Sequence, residues 1–243
     1  MALKTWRRVE RSPGYQRRKL FFKQLLRREI RVPLDRRVGT VNLGGWWLDA
    51  SCLCDGSLVY SIGVGRDIAF DRALARRFDL QIHAFDPTPS TVEWISEQVL
   101  PRGFHFHDWA VAGRDGELAF HPRIRKDGQA SRVMYTLDPA ATAPERAVTV
   151  QARALSGIPA RLGHPAPCLV KLDVEGAEYE VLQDLLASDL RPRQILVEFH
   201  HRYLPDGPGR TLETIGNLRD AGYDVIAVSE TGREISFSLG HVS

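Results

Sequence analysis

The fold is decided by residues 58–65, which read Leu58-Val59-Tyr60-Ser61-Ile62-Gly63-Val64-Gly65. A short apolar strand, Leu58 to Ile62, runs directly into a glycine turn, and a helix is predicted to follow from about Asp67 to Phe78. In a nucleotide-binding turn of this kind, the first glycine permits a tight bend and the second lets the backbone approach the ligand. Gly-x-Gly is common at strand-to-helix corners, so the prediction needs support from residues further along.

Asp86 supplies that support. It follows the second predicted strand, Gln81 to Phe85, and lies 21 residues beyond Gly65. A carboxylate at this place can accept hydrogen bonds from both hydroxyls of a ribose. The alternative is a turn residue that only precedes Pro87. Strand, glycine turn, helix and terminal aspartate together favour a nucleotide-like ligand.

The residues after the glycine turn indicate which ligand is bound. A dinucleotide-binding turn requires Gly or Ala where this chain has Ile68, and Asp67 at the start of the helix would repel a pyrophosphate. S-adenosylmethionine has no phosphate and tolerates both residues, so it is the predicted cofactor and a nicotinamide-dependent oxidoreductase is disfavoured. Asp108 and Trp109 follow the third predicted strand, Phe104 to His107, and would contact the adenine, although Trp109 fits a core position equally well.

Further polar residues accompany two later predicted strands, Cys168 to Leu172 and Gln194 to Phe199. Asp173 directly follows the first strand, and Glu198 lies inside the otherwise apolar second strand, where a charge needs a partner or a function. Ligands of doubly wound sheets collect at the carboxyl ends of strands, so Asp173, Glu198 and His200 are predicted to share the edge that holds the glycine turn. They could deprotonate a hydroxyl acceptor or, with water, hold magnesium. We predict catalytic roles for all three and no metal.

The composition narrows the classes of protein. A chain of 243 residues suffices for one α/β domain with a short appendage. No apolar run approaches the roughly 18 residues of a membrane-spanning helix, and no secretory signal is evident. Three cysteines cannot form a disulfide framework, which favours a reducing, cytoplasmic compartment.

The first residues differ from the rest in charge. Residues 1–37 carry 13 Lys and Arg against 3 Asp and Glu, whereas the remainder carries 20 against 27. We therefore predict a basic helical arm over residues 1–38 and a catalytic domain over residues 39–243. The arm packs on the body, or it contacts a membrane surface, an acidic polymer or a partner protein. One side of the helix would present Phe21, Phe22, Leu25 and Leu26.

The segment 169–182, which reads LVKLDVEGAEYEVL, resembles the signature block of the FkbM-type methyltransferases. Three upstream segments, 44–46, 59–65 and 84–87, resemble the cofactor half of that family, and 197–200 is similar to its next strand. The match spans about residues 40–240. It implies a Rossmann-like α/β class I methyltransferase fold, whose mostly parallel seven-stranded sheet has an antiparallel last strand and helices on both faces. It also implies S-adenosylmethionine and the O-methylation of a hydroxyl on a sugar, a glycan or a small metabolite.

The resemblance also bears on single residues. Ser61 stands where many class I enzymes have an acidic residue, and Asp67 is predicted to reach the methionine ammonium in its place. The predicted cofactor contacts are Ser61, Gly63, Gly65, Asp67, Asp86, Asp108 and Trp109. The predicted acceptor contacts are Trp46, Glu175 and His201. Residues 122–147 are predicted to form a loop or lid, and Glu178 to lie on an exposed helix face.

Two further alternatives stay open. A catalytically silent domain could bind S-adenosylmethionine or act as a scaffold through the basic arm. A nucleic-acid methyltransferase is disfavoured, because the body lacks a basic face with interleaved aromatic residues and the Asn/Asp-Pro-Pro-aromatic motif of amino-methylating enzymes. The expected oligomeric state is a monomer or a homodimer.

Overall fold

The computed structural model describes residues 12–26, 29–124, 129–136 and 147–240. The strands are β1 (Thr40–Leu43), β2 (Trp46–Asp49), β3 (Leu58–Ile62), β4 (Gln81–Phe85), β5 (Phe104–His107), β6 (Ala110–Ala112), β7 (Gly116–Ile124), β8 (Ala130–Thr136), β9 (Val148–Ala154), β10 (Leu169–Leu172), β11 (Gln194–Glu198), β12 (Tyr223–Val228) and β13 (Glu234–Leu239). The helices are α1 (Pro13–Leu25), α2 (Ala69–Ala75), α3 (Pro89–Ser96), α4 (Ile158–Leu162), α5 (Glu178–Ala187) and α6 (Gly207–Asp220). Short 3₁₀ turns cover Ala50–Cys52, Leu155–Gly157 and His201–Tyr203.

A seven-stranded sheet of order β12-β13-β11-β10-β3-β4-β5 forms the centre of the molecule. The pairs from β11 through β10, β3 and β4 to β5 are parallel, whereas β13 is antiparallel to both β11 and β12. The chain therefore proceeds outward from β3 in one direction and from β10 in the other. Strand order reverses between these two strands, and a ligand crevice is expected at that point.

Helices cover both faces of this sheet. Successive side chains of a strand point to opposite sides, so neighbouring residues of one strand pack against different helices. Tyr60 belongs to the core cluster that includes residues of α5 and α6, and its neighbour Val59 belongs to the cluster that includes residues of α2 and α3. The central strands β3 and β10 are buried throughout, which explains their nearly continuous apolar sequence.

The middle of the chain corrects the predicted loop. Residues 130–136 form strand β8, which is antiparallel to β7, and both belong to a second sheet of order β6-β9-β7-β8. No regular alternation of apolar and polar residues indicates these strands, because β7 is half-exposed and its pairing with β8 is irregular between Pro122 and Ile124. The parts of the predicted lid at 125–128 and 137–146 lie outside the described residues.

The helix after the glycine turn is also shorter than predicted. It begins at Ala69 and ends at Ala75, within the predicted range from Asp67 to Phe78. The Asp67 carboxylate accepts a hydrogen bond from the backbone amide of Ala69 at 2.8 Å. Asp67 therefore precedes the helix and satisfies one of the amides that a helix start leaves open.

Within the predicted basic arm, residues 13–25 form α1, whereas residues 1–11, 27 and 28 lie outside the described part. Arg17 forms an ion pair with Glu230 at 3.1 Å, and the segment after α1 is held by Arg219, which contacts Asp35 at 2.8 Å. None of the described helices has both the length and the apolarity needed to cross a membrane.

A group of four histidines lies at the β5 side of the sheet. His83 Nδ1 and His107 Nε2 are 2.9 Å apart, and the ring of His83 lies 4.7 Å from that of His105 and 4.2 Å from that of His164. His164 Nδ1 in turn lies 3.0 Å from the hydroxyl of Tyr60. The cluster packs four ionisable rings together, so its protonation affects stability.

Candidate functional site

The glycine turn after β3 adopts backbone conformations that favour glycine. Gly63 has φ 73° and Gly65 has φ 54°, both in the left-handed region. The Gly63 amide donates to the carbonyl of Phe85 at 2.8 Å, and the amide of Asp173 donates to the carbonyl of Ile62 at 3.0 Å. The ends of β3, β4 and β10 are therefore joined directly at the turn.

A cavity of about 250 Å³ opens at this edge of the sheet. Its walls include residues 62–67 of the glycine turn, 85–88 at the end of β4 and 173–175 after β10. The second sheet contributes Leu118, Phe120 and Tyr135. Predicted contacts from both halves of the sequence thus meet in one cavity: Gly63, Gly65, Asp67, Asp86, Asp173 and Glu175.

Asp86 holds the glycine turn in place. Its Oδ2 accepts a hydrogen bond from the Gly65 amide at 2.8 Å, and its Oδ1 accepts one from the Thr88 amide at 2.8 Å. Burial raises the pKa of this carboxyl group, whereas the two backbone hydrogen bonds oppose the rise. Each carboxylate oxygen keeps a second lone pair, so the predicted contact with a ribose remains compatible with these bonds.

Ser61 is buried and is not among the cavity-lining residues that the structure describes, so its predicted contact with the cofactor stays a prediction. Its side chain lies beneath the turn, near the buried carboxyl group of Asp71. The pKa of Asp71 is raised by burial, and the nearby Lys171 ammonium opposes this rise. Lys171 Nζ donates to the carbonyl of Gly63 at 3.2 Å. The buried acid near Ser61 is therefore Asp71 of α2, and no periodicity in the sequence indicates it.

Trp46 is a buried core residue outside the described cavity lining, and its predicted contact with the acceptor stays a prediction. The β1–β2 hairpin packs this ring into the sheet, where its centroid lies 6.3 Å from that of Phe70. Lys171 Nζ lies 5.0 Å from the centroid of the Trp46 ring. Lys171 thus links the indole to the glycine turn, because its Nζ also donates to the Gly63 carbonyl.

The residues predicted to contact the adenine, Asp108 and Trp109, are not among the described cavity-lining residues, so that contact stays a prediction. Asp108 is exposed, and Trp109 packs against the ring of His107 at 4.9 Å and beneath the Arg153 guanidinium at 5.8 Å. Among the described residues, the cavity wall nearest to them in sequence consists of Ala110 and Val111. Trp109 is partly buried against the core. This packing agrees with the core position that the sequence also allows for it.

A buried imidazole lies among carboxylates beside the cavity. His200 Nε2 lies 3.8 Å from Asp173 Oδ1, 3.9 Å from Glu175 Oε2 and 3.8 Å from Glu198 Oε1. The His200 amide donates to Glu178 Oε1 at 2.6 Å, and Glu178 Oε2 accepts from the Gly176 amide at 2.8 Å. Glu178 is fully buried, so its predicted place on an exposed helix face is wrong.

These charges decide the protonation of His200. Burial alone would lower its pKa, but Glu178, Glu175 and Asp173 together raise the pKa of His200 to about 9. The ring is therefore an imidazolium at neutral pH, and it cannot accept a proton from a substrate. The surrounding carboxylates favour the charged ring, and the catalytic role predicted for His200 stays a prediction.

Glu198 has the opposite balance. Burial and then the negative charge of Asp173 raise the pKa of Glu198 to about 7, although Arg233 and His200 oppose the rise. Arg233 Nη1 lies 2.7 Å from Glu198 Oε1 and fixes the carboxylate in place. A carboxylate of this kind is suited to proton transfer near neutral pH.

Asp173, Glu198 and His200 offer ligand atoms that all lie within 4.8 Å of one another, so these residues could hold a divalent cation. Arg233 already supplies a positive charge to Glu198 at this point. The metal-free site predicted from the sequence stays a prediction.

His201 takes no part in this cluster. Its Nε2 is hydrogen-bonded to the buried carboxylate of Glu29, which Arg202 also binds. Burial would raise the pKa of Glu29, but these two partners lower it to about 2. His201 therefore anchors the segment after α1, and its predicted contact with the acceptor stays a prediction.

The aromatic wall of the cavity is not predicted from the sequence. Phe120 and Tyr135 come from β7 and β8, and their ring centroids lie 6.4 Å apart. Arg123 on β7 lies 3.6 Å from Glu175, so the second sheet also reaches the carboxylate cluster. Apolar and polar residues alternate in part of β7, which could have indicated a strand. This alternation does not indicate that β7 pairs with β8.

The model of the family described as "Methyltransferase FkbM domain" matches residues 62–225. No curated protein sequence matches the chain. Among solved structures, a methyltransferase FkbM from Methylobacillus flagellatus KT has a TM-score of 0.47 and 11% identity, over 76% of this chain and 44% of that chain. The present chain thus spans less than half the length of that relative.

Two fibrillarins are also similar in structure. The Methanococcus jannaschii fibrillarin pre-rRNA processing protein has a TM-score of 0.47 and 8% identity, over 83% of this chain and 70% of that chain. The Aeropyrum pernix fibrillarin with natively bound S-adenosyl-L-methionine has a TM-score of 0.42 and 10% identity, over 76% of this chain and 66% of that chain. The family match and the strand order confirm the predicted class I methyltransferase fold.

Proposed function

Because the chain belongs to the FkbM family of S-adenosylmethionine-dependent methyltransferases, we propose that it methylates a hydroxyl group of a sugar, a glycan or a small metabolite. This proposal rests on the position of Asp173, which belongs both to the cavity wall and to the cluster of charged residues around His200. This residue lines the cofactor cavity, and its carboxylate lies 3.8 Å from the His200 ring that Glu198 also faces. Asp173 thus connects the cavity wall to the cluster that contains the candidate base Glu198.

The cavity suits a cofactor that carries positive charge. Asp67, Asp86, Asp173 and Glu175 contribute to its walls, and Arg66 is the basic residue among the described lining residues. A ligand with a sulfonium and an ammonium group is attracted by such walls, whereas a pyrophosphate is repelled. Gly63 and Gly65, which have no Cβ, keep the backbone close to the ligand.

When bound, S-adenosylmethionine supplies an electrophilic methyl group. The acceptor hydroxyl would receive this methyl group, and Glu198 would accept the hydroxyl proton. Arg233 orients the Glu198 carboxylate, and the His200 imidazolium stabilises the negative charge that develops nearby. Asp173 and Glu175 then balance the positive charge beside the cofactor.

Glu198→Gln tests this assignment, because glutamine has nearly the same shape and cannot accept the proton. S-adenosylmethionine affinity, measured by isothermal titration, should stay within about twofold, whereas methyl transfer in an acceptor screen with labelled cofactor should fall at least about a hundredfold. The labelled product should be a methyl ether, which resists mild base. Binding without any transfer, by either form, would favour a silent cofactor-binding domain.

We further propose a reducing, cytoplasmic setting. Cys52, Cys54 and Cys168 are all free thiols, and Cys54 is exposed. An exposed free thiol fits a compartment in which glutathione and thioredoxin keep cysteines reduced. Labelling of Cys54 with a thiol reagent in intact cells and in extracts checks this setting.

A further inference from the structure

The outward face of α1 and the turn that follows it carries four exposed apolar side chains. Their exposed fractions are 61% for Phe21, 59% for Phe22, 67% for Leu25 and 62% for Leu26. The Phe21 and Phe22 rings contact each other edge to face at 5.8 Å between centroids. Four large side chains together make a contiguous apolar patch, which a protein in water rarely leaves uncovered without a partner.

The opposite side of α1 already has its contacts. The methyl groups of Leu20 lie against Gly232, where an added Cβ would approach them to 2.8 Å. Gln24 donates to the carbonyl of Ile30 at 2.8 Å, and Arg17 pairs with Glu230. The helix is thus fixed to the body by one side, and the apolar patch points away from the body.

A basic cleft of about 220 Å³ separates α1 from the body next to this patch. Lys19 and Lys23 line it from the helix, and Arg202 and Arg233 line it from the body. Glu29 neutralises Arg202 and Glu198 neutralises Arg233, but neither lysine forms an ion pair within the described part of the chain. Burial and then the charge of Arg202 lower the pKa of Lys23, which agrees with an excess of positive charge in the cleft.

The cleft and the patch adjoin each other on α1. Phe22 follows Lys19 by three residues and Leu26 follows Lys23 by three, and residues at this spacing are neighbours on a helix surface. Apolar side chains flanked by basic ones are typical of helices that lie in the interface of a membrane. The excess of 13 basic over 3 acidic residues in residues 1–37 is complementary to an anionic surface.

We propose that α1 docks the protein on a bilayer that contains anionic phospholipid. Phe21, Phe22, Leu25 and Leu26 enter the boundary between headgroups and acyl chains, and the basic cleft binds a headgroup phosphate. The helix lies in the plane of the membrane and does not cross it. Arg233 belongs both to the cleft and to the Glu198 ion pair, so the docked protein holds its catalytic edge close to the lipid surface.

Vesicle co-sedimentation of the full chain tests the docking. We expect binding to vesicles of phosphatidylcholine mixed with phosphatidylserine, little binding to phosphatidylcholine alone, and weaker binding as salt rises. The double variant Phe21→Ser/Phe22→Ser should lose at least about tenfold in partitioning. Lys19→Gln/Lys23→Gln should lose about fivefold for each lysine removed. Equal sedimentation with and without phosphatidylserine would overturn the proposal.

Matched controls come from the body of the protein. Val99→Ser/Leu212→Ser removes two exposed apolar side chains, and Arg76→Gln/Arg102→Gln removes two exposed charges, all away from α1. Both controls should bind vesicles as the wild type does, and all four double variants should keep its S-adenosylmethionine affinity. If the controls weaken binding as much as the α1 variants, α1 is not the docking element. Binding to heparin without binding to vesicles would identify a soluble acidic polymer in place of a membrane.

Discussion

A Cβ atom on Gly63 would lie 1.8 Å from the backbone oxygen of Asp173. The glycine turn and the strand end that bears Asp173, which line the same cavity, are therefore in direct backbone contact. Such an approach is possible only where the residue has no side chain. The two halves of the site are separated by about a hundred residues in the sequence. Because Gly63 has no side chain, their backbones pack directly against each other, and this contact determines the distance between them.

Gly63→Ala should therefore be strongly destabilising. The new methyl group meets the Asp173 carbonyl, and alanine must also adopt φ 73°, so we expect a loss of at least about 3 kcal/mol in the free energy of unfolding. Gly163→Ala is the matched control, because Gly163 has φ 68° with nothing within 4 Å of an added Cβ. It should cost only about 1 kcal/mol. Urea denaturation measures both, and equal losses would mean that the contact with Asp173 is unimportant.

Asp86→Asn should weaken cofactor binding by at least about tenfold. The two carboxylate oxygens accept hydrogen bonds from the amides of Gly65 and Thr88, and an asparagine must present an NH₂ group to one of them. The glycine turn then loses one of its fixed points. Isothermal titration with S-adenosylmethionine measures the effect, and Asp189→Asn, at an exposed position, is the control. Unchanged affinity in Asp86→Asn would show that the turn holds without this carboxylate.

The rate of methyl transfer should rise with pH through an apparent pKa of about 7, the value for Glu198. Only the ionised carboxylate accepts the hydroxyl proton, so kcat/KM is low below this pKa and reaches a plateau above it. The charged groups that face Glu198 are Asp173, His200, Arg233 and Glu234. A profile that falls over the same range would contradict Glu198 as the base.

Arg233→Met should move that profile to higher pH. Arg233 stabilises the Glu198 carboxylate at 2.7 Å, so its removal raises the pKa of Glu198 further. Arg161→Met is the control, because Arg161 forms a surface ion pair with Asp115 at 3.1 Å, away from the site. The pH profiles of kcat/KM for the two variants are compared with that of the wild type. A profile shifted equally by both changes would point to a general effect of net charge.

Acid should destabilise the histidine cluster. Burial, and then the charges of His164, His105 and His107, lower the pKa of His83 from 6.5 to about 3. The unfolded chain therefore binds a proton at His83 below pH 6.5 that the folded chain does not bind until about pH 3. Stability is lost as pH falls through this window, by about 1 kcal/mol from roughly pH 7.5 to roughly pH 5.5.

His83→Leu should reduce this pH dependence, because leucine cannot take up the proton. Urea denaturation at the two pH values gives the comparison, and His121→Leu, at a histidine outside the cluster, is the control. If the wild type and His83→Leu lose the same stability on acidification, the cluster does not set the acid sensitivity.

The sequence predicted best where burial alone determines the pattern. Strand β3 was predicted at Leu58 to Ile62 and strand β4 at Gln81 to Phe85, as the structure has them, because strands in the middle of a parallel sheet are apolar runs that end at turn residues. Asp86 and Asp173 could be placed at one edge for the same reason. The carboxyl ends of neighbouring parallel strands must meet, whatever the intervening chain does.

The errors share one cause, which is contact between residues far apart in the chain. Glu178 has the spacing of an exposed helix residue, yet its carboxylate is buried by the amides of His200 and Gly176. His201 and its neighbour His200 are equivalent by local pattern, and only the distant Glu29 separates their roles. None of these three hydrogen bonds follows from a periodic pattern in the sequence.

Arg233 has a consequence for regulation. One guanidinium faces both the basic cleft and the Glu198 carboxylate, so an anion in the cleft and a proton on Glu198 draw on the same positive charge. By thermodynamic reciprocity, whatever occupies the cleft changes the proton affinity of Glu198, and the protonation of Glu198 changes the affinity of the cleft by the same factor. If the cleft binds a lipid phosphate as proposed, Arg233 makes the pKa of Glu198 depend on the lipid surface.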